Sequence, residues 1–414
     1  MNLAPVRPAC RLCGAALKHT FTDLGMSPPC EAFVPPDRLA SVEAFYPLHV
    51  FVCDECLLVQ LPEHVSPQEI FTEYAYFSSY SDSWLAHAKA YAGRMVDRFE
   101  LGPGKLVVEL ASNDGYLLQY FQALGVPVLG VEPAANVARE AVRKGIPTRV
   151  EFFGRETAAA MVREGIQADL IAANNVFAHV PDMRSFTAGM KTLLKPGGVI
   201  TIEIPHLMRL MEQNQFDTIY HEHFSYWSFI TATRMLADFG LAVFDVEEIP
   251  THGGSMRIYA RHADDPSPVH ERVRELTRRE EEAGFTRLET YFSFDEKVKR
   301  TKRNILSFLI EAKRAGKSIA GYGAPGKGNT LLNYCGIRTD FLDYTVDRNP
   351  YKHGRVLPGT RIPIFPPEKL RETRPDYVFI LPWNLKDEIR QQLAYVREWG
   401  GQLVVPIPDI EVLE

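Results

Sequence analysis

The chain has 414 residues, of which 46% are hydrophobic and 24% charged, with a formal net charge of −6. That length allows two or three domains at roughly 150 residues each, and the composition excludes a disordered chain. The negative balance lacks the long basic run that a nucleic-acid binder imprints, so no nucleic-acid partner is expected.

Met1–Ala9 carries no apolar stretch of a signal segment, and no later run is long enough to span a bilayer. We therefore expect a cytoplasmic chain with no membrane partner. The oligomeric state is left open, a monomer being compatible with everything read here.

Residues 1–75 are rich in Pro, Cys and short β-like runs. Cys10-Arg-Leu-Cys13 and Cys53-Asp-Glu-Cys56 form two CxxC pairs. Two-residue gaps let both thiolates of a pair reach one ion, and four soft ligands close a tetrahedral Zn²⁺ shell with no position left for catalysis. A structural zinc is thus expected on Cys10, Cys13, Cys53 and Cys56. The 39 residues between Cys13 and Cys53 must loop out and return. Redox CxxC chemistry is the rival, but such motifs open a helix in a thioredoxin-like unit. Cys30 and Cys335 stand alone and read as packing residues.

Residues 76–264 alternate strand-like runs (Leu106–Leu110, Val128–Val131, Leu170–Ala173, Val199–Ile204) with amphipathic segments, the pattern of a parallel sheet covered by helices. The first run enters the turn Ala111-Ser-Asn113-Asp-Gly115 and then a helix. Small residues there admit a ligand close to the backbone. Glu132 ends the next strand about 20 residues on, where an acid accepts ribose hydroxyls. The turn lacks GxGxxG, the cradle of a dinucleotide pyrophosphate, which favours S-adenosylmethionine over NAD. Glu109 would take the methionine ammonium. Ala111, Asn113, Gly115 and the strand-end amides Asn174 and Asn175 complete the expected cofactor contacts. Leu193-Leu-Lys-Pro-Gly-Gly-Val-Ile-Thr-Ile-Glu203 then reads as helix, turn and strand.

Residues 265–315 turn helical and charged, with Leu276, Val298, Ile305 and Leu309 at helical spacing; these read as connecting helices, and Lys297–Arg303 as a solvated face. Residues 316–414 resume α/β alternation, with strands expected at Ser318–Tyr322, Tyr344–Asp347, Tyr377–Leu381 and Gln402–Pro406. Gly321-Tyr-Gly323-Ala-Pro-Gly-Lys327-Gly328 is a glycine-rich turn whose N–H groups and Lys327 could neutralise a diphosphate.

With these pieces assembled, the chain resembles the S-adenosylmethionine-dependent C-methyltransferases of nucleotide-linked deoxy-keto-sugars. The resemblance runs nearly the whole length through the paired CxxC, Glu109-Leu-Ala-Ser-Asn-Asp-Gly115, Tyr220-His-Glu-His223-Phe, His252-Gly-Gly-Ser-Met-Arg257 and Gly321–Gly328. It implies an α/β chain: a class I methyltransferase Rossmann-like domain, an N-terminal zinc-binding domain, and a second Rossmann-like domain that anchors the nucleotide sugar. The implied reaction is methyl transfer to C3 of a 4-keto-deoxysugar on a nucleoside diphosphate. His223 matches the family's general base. Tyr220 and Glu222 match neighbours that orient the sugar or stabilise the enolate, and His179 and Tyr76 or Tyr74 match further site positions. Gly323, Lys327, Arg257 and Asn384 are the candidate substrate contacts. The base requirement has a physical root: a sugar carbon becomes nucleophilic only when the proton α to its carbonyl is removed. O- or N-methylation, an NAD-binding oxidoreductase and a non-catalytic zinc module are the competing readings.

Overall fold

The computed structural model describes residues 8–67, 69, 78–80 and 82–413. By its contacts the chain divides into two compact units, each built from three separated stretches. The first holds residues 1–18, 53–207 and 224–287; the second holds 19–52, 208–223 and 288–414. These contact units do not follow the domain bounds read from the sequence. The cysteine pairs stay in the first unit, while the 19–52 excursion between them joins the second. The Tyr220–His223 motif likewise belongs with the C-terminal α/β layer rather than with the 76–264 stretch that contains it in sequence.

The first unit is built on a seven-stranded sheet. Its spatial order is Leu241–Ile249, Ser255–His262, Leu194–Pro205, Ala168–Asn174, Val107–Leu110, Val128–Val131 and Thr148–Arg149. The strands from Leu194–Pro205 to Thr148–Arg149 run parallel, and Ser255–His262 is antiparallel to both its neighbours. This is the class I Rossmann-like arrangement expected. The central strand Val107–Leu110 is buried at all four positions, as a parallel strand covered on both faces must be. Tyr91 and Met95 of the helix Asp82–Phe99 pack on it with Leu117, Phe121 and Leu170. Leu193-Leu-Lys-Pro-Gly-Gly does not form the expected turn before a strand: the strand itself opens at Leu194, after the helix Met183–Leu193.

His206 and Glu280 form a fully buried pair at 2.7 Å, and Glu280 also accepts from the N–H groups of Phe229 and Ile230 at a helix start. A carboxylate there satisfies donors that the first helical turn leaves without intrahelical partners.

The second unit carries a six-stranded sheet, ordered Ile364–Phe365, Thr345–Val346, Ile319–Tyr322, Tyr377–Ile380, Gln402–Val405 and Glu411–Leu413. All pairings are parallel except the last. In chain order this is 3-2-1-4-5-6, so the strand order reverses between Ile319–Tyr322 and Tyr377–Ile380. Ligands of open α/β sheets bind beyond the carboxyl ends of such strands. The hairpin of His19–Ser27 and Tyr46–Val52 packs on the long helix Leu288–Arg314, with Phe21 stacked on Phe294 at 4.6 Å. Among the described residues no helix is long and apolar enough to cross a membrane.

Candidate active site

The four thiols of Cys10, Cys13, Cys53 and Cys56 lie within 4.8 Å of one another. Cys10 and Cys56 approach to 3.5 Å at Sγ, as do Cys13 and Cys53. Zn–S bonds of about 2.3 Å at tetrahedral angles put sulfurs roughly 3.8 Å apart, so the set fits one zinc ion. Gln60 Nε2 donates to Cys10 Sγ at 3.1 Å and Glu55 N–H to Cys53 Sγ at 3.4 Å, outer contacts that hold thiolates in place.

At the end of the Val107–Leu110 strand the chain takes left-handed conformations at Ala111 (φ 56°), Asn113 (φ 51°) and Gly115 (φ 77°). At Gly115 a Cβ would also meet Ile146 Cγ1 at 3.0 Å, so a side chain there would be both strained and crowded. Non-glycine residues held at positive φ store strain, and such strain clusters at ligand sites. The turn is braced by Glu132, whose two oxygens accept from the Asn113 and Ala134 N–H groups at 2.9 and 2.8 Å. Each carboxylate oxygen keeps a further lone pair for a ribose hydroxyl. Asn113 Oδ1 accepts from Ser78 N–H at 2.9 Å.

Burial, followed by the nearby charges of Glu132 and Asp114, drives the Glu109 carboxyl well above the usual carboxylate range, against a lowering hydrogen bond from Tyr116. Glu109 Oε2, Ser112 Oγ, Asn174 Oδ1 and both polar atoms of the Asn175 side chain are buried without a hydrogen-bond partner among the described residues. Buried polar atoms are seldom left so. They sit at the ends of two paired strands, Val107–Leu110 and Ala168–Asn174, where a polar cofactor such as S-adenosylmethionine can satisfy them. Ser112 is one of the small residues of the turn expected to admit a ligand, and its hydroxyl is among these atoms. His179 follows in the turn after Asn175, its N–H bonded to Val176 O at 2.8 Å.

In the second unit, His223 is buried at 8% exposure, and its Nδ1 lies 2.8 Å from Thr218 O. Its ring centroid is 4.0 Å from that of Tyr220, and its N–H closes a turn onto Tyr220 O at 2.9 Å. The segment is pinned from the C-terminal layer: Thr330 Oγ1 donates to Ile219 O at 2.9 Å. His221, to which no role was assigned, has Nε2 3.3 Å from Pro47 O. Glu222 is buried beside Cys30, whose thiol donates to Glu222 Oε1 at 3.8 Å. Cys30, read as plain packing, is therefore a neighbour of the motif.

The structure brings two of the candidate substrate contacts together. Lys327 Nζ donates to Asn384 Oδ1 at 2.7 Å and sits 4.8 Å from the centre of the Trp383 ring. Trp383 Nε1 donates to Asp217 Oδ2 at 2.6 Å. Burial lifts the Asp217 carboxyl to about 6 against the opposing charge of Lys327, and burial lowers Lys327 in turn. Asp217 and Trp383 were missed in the sequence because neither stands in a glycine-rich or histidine-rich motif. The glycine-rich turn itself differs from expectation, since its N–H groups are engaged within the unit. Gly323 donates to Val346 O, Ala324 to Asp347 Oδ2 at 2.7 Å and Gly326 to the Glu31 carboxylate. No anion cradle of bare N–H groups is left at Gly323–Gly326.

Arg257 is a correction. It has 0% exposure and its guanidinium is held by Glu203 at 2.8 Å and Glu247 at 3.2 Å, over the Tyr91 ring at 4.8 Å. A cross-strand neighbour of Glu203 with that environment is an internal ion pair of the sheet, not a substrate contact. Tyr74 and Tyr76 lie outside the described residues. His353 Nε2 lies 2.7 Å from Asp347 O.

Three family models match the chain: one described as a zinc binding domain over residues 10–71, one as a methyltransferase domain over 84–246, and one as a C-methyltransferase C-terminal domain over 250–408. The C-methyltransferase NovU of Streptomyces niveus is 35% identical over 410 residues, covering 99% of this chain and 98% of its own. A ubiquinone biosynthesis O-methyltransferase of a Methylobacterium species is 31% identical over 123 residues, 28% of this chain and 48% of that protein. Among solved structures, S-adenosylmethionine-dependent methyltransferases of Clostridium acetobutylicum and Anabaena variabilis each cover 43% of this chain, and 92% and 86% of their own. They are 12% and 14% identical, each with a TM-score of 0.36.

Proposed function

The chain belongs to the C-methyltransferase family, as an S-adenosylmethionine-dependent enzyme with a zinc-binding domain, and we propose that its acceptor is C3 of a nucleotide-linked 4-keto-deoxysugar, activated as an enolate. O- and N-methylation and the oxidoreductase reading give way to that family membership. The observation that supports the enolate route is the His223–Thr218 hydrogen bond. A carbonyl oxygen only accepts, so Nδ1 carries the proton and Nε2 is the basic nitrogen of the neutral ring. An imidazole with a fixed tautomer and an intrinsic pKa near neutrality suits removal of a proton α to a ketone.

When bound, S-adenosylmethionine supplies an electrophilic methyl group. Glu109, Asn174 and Asn175 hold its methionine end, Glu132 its ribose, and Ala111, Asn113 and Gly115 admit it to the backbone. His223 Nε2 takes the C3 proton, and Tyr220 and Glu222 hydrogen-bond the developing enolate oxygen, where charge stabilisation matters most. His179 faces the donor, and Tyr76 or Tyr74 orients the sugar. Lys327 and Asn384 contact the nucleotide through their side chains, and the Gly323 turn carries Lys327 to that position. The enzyme works in the cytoplasm, where thiolates stay reduced and available to zinc.

The test is incubation with a panel of nucleotide-linked 4-keto-deoxysugars in deuterium oxide without donor, followed by mass spectrometry. Deuterium at C3, and a labelled methyl at C3 once labelled donor is added, are the expected results. No exchange with any member, or methyl found on oxygen or nitrogen, would overturn the proposal.

A further inference from the structure

Within the second unit, two carboxyl groups and a thiol meet at the start of the helix Gly326–Cys335. Cys30 Sγ contacts Glu222 Oε1 at 3.8 Å, and the next residue, Glu31, accepts from the Gly326 N–H. A Cβ at position 326 would stand 2.9 Å from Cys30 Sγ and 3.0 Å from Glu31 Oε1, so the absence of a side chain there is what lets the pair seat. Asn329 Nδ2 donates to Cys30 O, and Val34 bridges to Val356, fixing the 30–34 arm against the same layer.

The two acids are placed unequally. Glu31 has a helix-start N–H and the Lys352 ammonium to offset burial and the like charge of Asp347, whereas the Glu31 charge adds to burial in disfavouring ionised Glu222, with the Cys30 thiol hydrogen bond opposing. Two neighbouring carboxylates do not both ionise readily, and the better-partnered one, here the half-buried Glu31, ionises before the buried Glu222.

We propose that Glu31 is a positioning residue for the enolate-stabilising step: its carboxylate, fixed by Gly326 N–H and Lys352, denies Glu222 a second negative charge and leaves that side chain a hydrogen-bond donor. The inference rests on the enolate reading above. Burial first, and then the Glu31 charge, push the Glu222 carboxyl up to about 8. Glu31 is raised by burial and by Asp347, with Lys352 and Gly326 pulling the other way. Cys30, pushed well above the ordinary thiol range by burial and both acids, stays a thiol and donates. A protonated Glu222 gives a hydrogen bond to the oxygen on which charge develops; an ionised one repels it.

The test uses the full-length zinc-loaded chain. Carbon-13 NMR of labelled glutamate, assigned by subtraction of a Glu222→Gln spectrum, follows the Glu222 carboxyl directly; C3 deuterium exchange against pH follows its use. Glu31→Gln keeps an acceptor for Gly326 N–H but removes the charge. It is expected to move the Glu222 titration, and with it the alkaline limb of exchange, down by about one pH unit. Exchange at pH 8 then falls about five-fold while exchange at pH 6 changes less than about two-fold. Glu31→Asp is expected to restore the wild-type limb, and zinc content and thermal midpoint report folding of both variants. An unmoved Glu222 titration in Glu31→Gln overturns the proposal, and so does a moved titration with an unmoved exchange profile. Absence of exchange in the wild type sinks the enolate reading alone, and the NMR titration still decides whether Glu31 governs Glu222.

Discussion

The imidazole of His223 and the main-chain carbonyl of Thr218 are joined by a 2.8 Å hydrogen bond across the turn that the Tyr220–His223 motif closes. The carbonyl belongs to the backbone, so the tautomer it selects survives substitution at residue 218. His223→Ala should lower turnover by roughly 10²- to 10⁴-fold, the range for loss of a general base. Donor affinity, measured by calorimetry, should stay within a few-fold. Full turnover in that variant removes His223 from the chemistry.

Glu109 lies buried with its carboxyl well above the ordinary range in the absence of a cation. An arriving ammonium favours the charged form and lowers that value. Binding of S-adenosylmethionine near neutral pH should therefore release protons. Titration calorimetry in buffers of different ionisation enthalpy reads the number directly, and Glu109→Gln should abolish the release and weaken binding. Equal release in that variant points to another group.

Glu203 behaves in the opposite sense. Burial alone would raise it, but the hydrogen bond from His87 and the charge of Arg257 outweigh burial and hold it at about 2. A depressed folded value contributes stability that is complete above the unfolded carboxylate range near 4.3 and fades as pH falls toward about 2. Glu203→Gln leaves Arg257 buried without that partner and should cost roughly 3–5 kcal/mol at pH 7. Denaturant melts from pH 7 to 3 should show a smaller acid-induced loss in the variant than in the wild type.

The cysteine cluster predicts one zinc per chain by elemental analysis. Cys10→Ser should lower metal content and thermal stability, and a strong chelator should do the same to the wild type, because ligand-bond energy is part of folding energy at such sites. A wild-type chain that melts at the same temperature with and without chelator contradicts a structural role.

The parallel strands of both sheets were legible in the chain because buried strands read as short apolar runs bracketed by helices; Val128–Val131 matches residue for residue. The zinc ligands were legible because CxxC spacing is local. What sequence could not convey was long-range company. Cys30 reads as an isolated small hydrophobe until the fold places it beside Glu222, 192 positions away. Arg257 sits in a glycine-rich stretch that suggests ligand contact, and only the cross-strand register with Glu203 shows it to be an internal ion pair. The glycine-rich turn suggested an anion cradle, yet its N–H groups are met by acids from two other segments.

The interleaving of three stretches in each unit has a consequence for biogenesis. As the chain emerges, the seven-stranded layer cannot finish until Ser255–His262 is made, and the arm at 19–52 must wait for partners after residue 288. Loops of that span close slowly and leave apolar surface uncovered meanwhile. No single scission therefore yields the two units as separate fragments: a break after residue 287 keeps the first unit's stretches together but leaves 19–52 and 208–223 behind with them.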